Sequence, residues 1–90
     1  MARIEKKLWS EYFDQVASGK KKYELRLNDF VVNEGDILVL REWDKDKKEY
    51  TGKTLEKVVT RVNRFKLEDL YVFWSEEELK EKGIQIISIE

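Results

Sequence analysis

From Arg3 to Lys7 apolar and charged residues alternate weakly, Ile4 and Leu8 being apolar and Arg3, Glu5 and Lys7 charged, which predicts a short first strand over 3–7. The period then changes. Trp9, Tyr12, Phe13, Val16 and Ala17 recur at helical spacing and give one apolar stripe. Ser10 stands where an N-cap belongs, Glu11 suits the first turn, and Gly19 stands where a left-handed residue would end a helix. These signals predict a helix over 11–18. From Lys22 the period is two: Tyr23, Leu25 and Leu27 point to one side, and Lys22, Glu24, Arg26 and Asn28 to the other. That predicts a half-buried strand whose apolar side joins the core and which Asn28-Asp29 ends. Asn33-Glu34-Gly35-Asp36 predicts a turn, with Gly35 at positive φ.

Ile37-Leu38-Val39-Leu40 is apolar on both faces, as a central strand requires, and the strand continues through Trp43. Asp44–Glu49 predicts a charged hairpin loop, Tyr50-Thr51-Gly52-Lys53 the turn after it, and Thr54–Phe65 one long, bent strand. Leu70–Trp74 predicts a short strand or an aromatic turn, with Tyr71 and Trp74 in the core or at a barrel rim. Ser75 and Glu78 form a capping box for a helix over 76–82, closed by Gly83. Ile84–Glu90 predicts a last strand. The order β-α-β-β-β-β-α-β, with short connections, favours antiparallel pairing. The economical arrangement is a small α+β fold: a mixed, mostly antiparallel, partly closed β-barrel with one or two flanking helices, which also removes exposed sheet edges.

Composition narrows the chemistry. Ninety residues make one domain, 1–90, with one core. There is no cysteine and no histidine, which excludes disulfides, zinc fingers, thiolate nucleophiles and histidine triads. No spacing of carboxylates suggests a metal, and no cofactor is implied. Charged residues are 41% of the chain, mostly Lys and Glu, the composition of proteins from hot environments, where ion-pair networks cost less to desolvate. The net charge is only −1, so any nucleic-acid binding must come from a local basic patch. No apolar run approaches the roughly 18 residues of a membrane span, and no secretory pattern opens the chain. The expectation is a cytoplasmic protein with no membrane partner, taken as a monomer.

The chemistry concentrates at residues 18–29. Lys20-Lys21-Lys22 is the chain's only triple-lysine run, a local positive potential for a phosphodiester backbone. On a regular strand Glu24 and Arg26 share a face. Lys21 has the opposite parity but lies in the helix-to-strand turn, from which its side chain can swing over that face. An ammonium, a carboxylate and a guanidinium would then meet. A solvated strand edge with an ordinary ion pair is the simpler reading on composition alone. The functional reading is an anion or nucleobase pocket: Lys20, Lys21 and Lys22 attract phosphate, Arg26 binds phosphate or a carbonyl with its fork, Glu24 accepts from an exocyclic amine or holds Lys21, and Asn28 lies on the same face. Trp43 and Tyr50, flanking the charged loop, are the preferred stacking platforms. Lys57 and Arg61 share a face and extend a basic stripe in the functional reading, which Arg64 joins if the strand bends; the simpler reading pairs them with Glu on a neighbouring strand.

Gly19-Lys20-Lys21-Lys22-Tyr23-Glu24-Leu25-Arg26 resembles the G-x-K-x-x-E-x-R motif of ASCH domains, in the PUA-like β-barrel superfamily. A helix containing Tyr12-Phe13-Asp14-Gln15-Val16 precedes it, and Leu27-Asn28-Asp29, Val32–Asp44 and Tyr50-Thr51-Gly52 follow. Over residues 4 to 65 this wider pattern is similar to the ASCH-like group called DUF3850. The resemblance implies a PUA-like barrel with a pocket near the motif and a role in binding RNA or a nucleotide, linked to translation or RNA modification. Some ASCH relatives are small amidohydrolases that deacetylate N4-acetylcytidine, with the motif lysine catalytic and a threonine and a later glutamate assisting. Here Lys21 matches the lysine and Glu24 stands at the threonine position; Glu42, Glu56 and Glu68 are unmarked candidates for the later glutamate. With that departure, binding leads, and the alternative is an amidohydrolase using Lys21 and Glu24. A module that binds only protein is a third reading.

Overall fold

The computed structural model describes residues 1–87. Its order is β1 (Arg3–Trp9), α1 (Ser10–Ala17), β2 (Ile37–Asp44), β3 (Glu49–Val58), a 3₁₀ helix (Leu67–Val72) and α2 (Glu76–Lys82). The sheet has the order β1-β2-β3, with β1 parallel to β2 and β3 antiparallel to β2. Among the described residues this is a small α+β fold with an open three-stranded mixed sheet, not the partly closed barrel that the strand count favoured, and β1 and β3 are its edges.

The sheet's two faces follow from its register. Ile4, Lys6 and Leu8 stand beside Leu38, Leu40 and Glu42. On this face Leu8, Leu38 and Leu40 pack with Phe13 and Val16 of α1 into the core, with Ile4, Leu55 and Val59 against it. The other face carries Arg3, Glu5 and Lys7 beside Ile37, Val39 and Arg41. Ion pairs Arg3–Glu56 at 2.7 Å and Arg41–Glu5 at 4.0 Å lie on it, and Val39 is buried there outside the core cluster. Where loop and strand meet, buried Asp36 accepts the Ala2 N–H at 2.9 Å and the Asn33 N–H at 2.8 Å. These two backbone donors hold its carboxyl below the usual carboxylate range.

Several expectations change. Trp9 ends β1 and caps α1 by its backbone, so Ser10 is already helical; its hydroxyl donates to the Trp43 carbonyl instead. Residues 22–28 form no strand, and Tyr23, Leu25 and Leu27 are exposed, not core, because no strand among the described residues pairs with them. Tyr50–Lys53 lie inside β3, not in a turn: Trp43 pairs with Tyr50 and Arg41 with Thr54, and the extra residues bulge at Gly52, at φ +93°. The reversal is confined to the preceding loop, where the Asp44 carboxylate accepts the Asp46 and Lys47 N–H groups.

The long strand over 54–65 stops at Val58, with one further rung between Val59 and Asp36. β2 begins at Ile37, so nothing remains for residues 60–65 to pair with. Residues 70–72 are 3₁₀, and Tyr71 and Trp74 are exposed, outside the core. α2 spans Glu76–Lys82, with the Ser75 hydroxyl accepting the Glu78 N–H at 3.2 Å and Gly83 at φ +72° ending it. Residues 84–87 form no strand and expose Ile84, Ile86 and Ile87; the rest of that predicted strand lies outside the described residues. No helix among the described residues is long and apolar enough to cross a membrane.

Candidate functional site

The site is built by the end of α1. Gly19, at φ +81°, returns its N–H to the Val16 carbonyl, and the Lys21 N–H reaches the Gln15 carbonyl at 3.0 Å. Only a residue tolerant of the left-handed region makes this reversal cheaply. It fixes the Lys21 backbone beside the helix, and the ammonium lies 4.9 Å from the Tyr12 ring centre and 5.2 Å from that of Tyr23. Both distances are within cation–π range.

Glu24 joins the two cations. Its Oε1 accepts from the Lys21 ammonium at 3.4 Å, and its Oε2 accepts from Arg26 Nε at 3.0 Å. The Lys21 and Glu24 side chains are only 14% and 15% exposed, so this pair is screened less than a free surface pair. The Arg26 fork also donates through Nη2 to the Lys7 carbonyl at 2.7 Å. Lys7 belongs to the edge strand β1, so Arg26 ties a segment without a ladder to the sheet. The three charges meet as the motif suggests, through a turn and a guanidinium bridge and not through strand parity.

These residues border a cavity of about 950 Å³. Residues from 19–32 form one wall and residues from 57–67 the other, over Val16, Leu38 and Leu40. The Arg64 guanidinium donates to the Val32 carbonyl and so bridges the walls. Among the described residues, six cations line the cavity, Lys21, Lys22, Arg26, Lys57, Arg61 and Arg64, and one carboxylate, Glu24. Asn28 lines it too; Lys20, Trp43 and Tyr50 do not. Trp43 and Tyr50 pack edge to face at 5.0 Å, with the Lys7 ammonium 3.7 Å from the Trp43 ring and the Arg41 guanidinium 3.9 Å from that of Tyr50. Cations thus cover both proposed platforms in this arrangement.

Sequence reasoning gave no role to Phe30 and Phe65, which line the cavity, or to Lys6, whose ammonium lies 3.7 Å from the Phe30 ring. Lys6 carried a signal, a lysine in the apolar row Ile4-x-Lys6-x-Leu8. Phe65 follows Arg64 directly, a pairing of base and aromatic at the end of the long, bent strand that the pattern predicts. No group of His, Cys, Asp and Glu among the described residues is arranged to hold a metal ion.

The sequence matches the family described as domain of unknown function (DUF3850) over residues 5–75. It is also 43% identical over 63 residues to a protein of Escherichia phage P2 described as "Uncharacterized 12.9 kDa protein in GpA 3'region". The match covers 69% of this chain and 56% of the phage protein, so the chain spans little more than half the length of that curated relative. No solved structure matches.

Proposed function

The chain belongs to the DUF3850 family, and from that premise we propose that it is an RNA- or nucleotide-binding module of the ASCH, PUA-like type. Its ligand enters the cavity between residues 19–32 and 57–67. The observation that carries this reading is the charge of the lining, six cations and the carboxylate of Glu24 among the described residues, on a chain whose net charge is −1. A protein near neutrality that sets six of its 18 Lys and Arg side chains around one concavity creates a local potential for a polyanion there.

In this reading Glu24 is the positioning residue. By holding Lys21 on one oxygen and Arg26 on the other, it presets two cations for one phosphate and reduces the ordering cost at binding. Two of the Arg26 N–H donors are occupied; the rest of the fork is open to phosphate.

The test is fluorescence anisotropy with labelled RNA across a salt series. Lys21→Ala with Arg26→Ala removes two charge-assisted contacts of about 1 kcal/mol each after screening, and so weakens binding about 30-fold. Unchanged affinity in the double variant removes the proposal. The hydrolytic alternative would use Glu24 to assist Lys21, yet both Glu24 oxygens are engaged by cations, which suits a clamp better than a proton carrier. It is decided by incubation with N4-acetylcytidine: no free cytidine above a Lys21→Ala control removes it.

A further inference from the structure

We propose that the cavity takes a single strand, with bases stacked on Phe65 and Tyr23 and phosphates on Lys57 and Arg61. This rests on the nucleic-acid reading above and goes beyond it in naming the strandedness and the stacking residues. Phe65 is 56% exposed and Tyr23 40% exposed, and both line the cavity. An exposed phenylalanine costs free energy in water unless something covers it. The residues beside these rings are cations: Lys22 precedes Tyr23, and Arg64 precedes Phe65. Aromatic rings interleaved with cations are how single strands are held without base-edge readout, since every base offers a π-face and the backbone runs along the charge.

Position and charge argue against the other occupants. A duplex keeps its bases stacked on one another, so it can meet the cations but leaves the two rings bare. An apolar protein segment would cover the rings but bring nothing for the cations of the lining, Lys57 and Arg61 among them. A single strand satisfies both. Lys57 and Arg61 form no ion pair among the described residues, so their charge is available to phosphate. Trp43 and Tyr50 do not line the cavity, and Lys7 and Arg41 stand 3.7 and 3.9 Å from their ring centres, closer than the 5.2 Å from Lys21 to that of Tyr23; they are not its stacking residues.

The experiment compares a labelled oligouridylate of about ten nucleotides, a length within the usual single-strand site sizes, with a duplex RNA of equal length. The single strand binds more tightly. Phe65→Ala or Tyr23→Ala weakens it about 5- to 150-fold, the range for one lost base–aromatic stack, and leaves the salt slope unchanged. Lys57→Ala or Arg61→Ala instead makes the slope of log K against log salt shallower by about 0.7 each, as expected for one phosphate on a single strand. All four side chains are outside the core, so circular dichroism of each variant should match the parent.

Equal binding of duplex and single strand overturns the inference, and so does affinity within about twofold of the parent in both aromatic variants. If either occurs while Lys21→Ala with Arg26→Ala still abolishes binding, the nucleic-acid reading stands and only the strandedness fails. If no oligonucleotide binds and the protein self-associates through this face in sedimentation, both fail.

Discussion

Arg26→Lys keeps the charge and removes the fork. Arg26 donates through Nε to Glu24 at 3.0 Å and through Nη2 to the Lys7 carbonyl at 2.7 Å, two acceptors met by two nitrogens of one planar group. A lysine ammonium is a single point and meets one of them. A hydrogen bond involving a charged group is worth about 1.5–3 kcal/mol when buried. The Arg26 side chain is 30% exposed, and solvent screening brings its two bonds to about 1–2 kcal/mol together. Arg26→Ala should cost that amount and Arg26→Lys about half of it. A domain of this size loses about 4–8 °C of melting temperature per kcal/mol, so the alanine variant melts roughly 5–15 °C lower. Thermal and urea melts of Glu24→Ala, Arg26→Ala and the double variant then close a cycle. Its coupling energy should be about 0.5–1 kcal/mol. A coupling within about 0.3 kcal/mol of zero, the additivity error for independent sites, refutes the clamp. So does an Arg26→Lys variant that melts with the parent.

Leu40 is 1% exposed at the centre of the core cluster, so Leu40→Ala should cost about 2–5 kcal/mol, read from the urea midpoint at unchanged slope. A loss under about 1 kcal/mol would mean that the core lies elsewhere. Asp36 predicts a pH dependence with a definite sign. Its folded-state carboxyl titrates below the ordinary value of 3.8 because the Ala2 and Asn33 N–H groups donate to the charged form. That stabilisation is complete above the ordinary value and is lost as the pH falls through it towards the depressed folded value. Asp36→Asn should therefore flatten the acid limb of melting temperature against pH. Asp44 and Glu56, also depressed, keep part of it. An acid limb unchanged in the variant would show that the two backbone donors do not hold the charge.

What was legible in the sequence depended on local partners. β1, α1, β2 and α2 follow from patterns completed within a few residues: a helical stripe ended by Gly19, a doubly apolar strand, a Ser75 cap closed by Gly83. Residues 22–28 and 60–65 carry equally good β patterns and form no strand. Alternation states which side chains share a face; it does not supply the neighbouring strand that a ladder needs. β2 is already flanked by β1 and β3, and Asn33–Asp36 turn the chain just before β2 begins. The meeting of Lys21, Glu24 and Arg26 was legible because its main cause is local: a glycine turn, and a carboxylate three residues from one cation and two from the other. Its link to the Lys7 carbonyl was not legible, since it depends on which strand forms the sheet's edge.

The same fact connects the failed strand to the site. An alternating segment paired on both sides hides its apolar half, and its charges become a solvated face. Here residues 22–28 form no strand, and Tyr23, Leu25 and Leu27 line the cavity together with Lys22 and Arg26. The second wall repeats this mixture, with Val62 and Phe65 beside Arg61 and Arg64. Two walls whose patterns predict strands are joined here by the Arg64 bridge to the Val32 carbonyl and the hydrogen bond from the Gly35 N–H to the Val59 carbonyl. The apolar side chains that would have closed a barrel are left where a ligand of matching chemistry, flat rings on an anionic chain, would cover them.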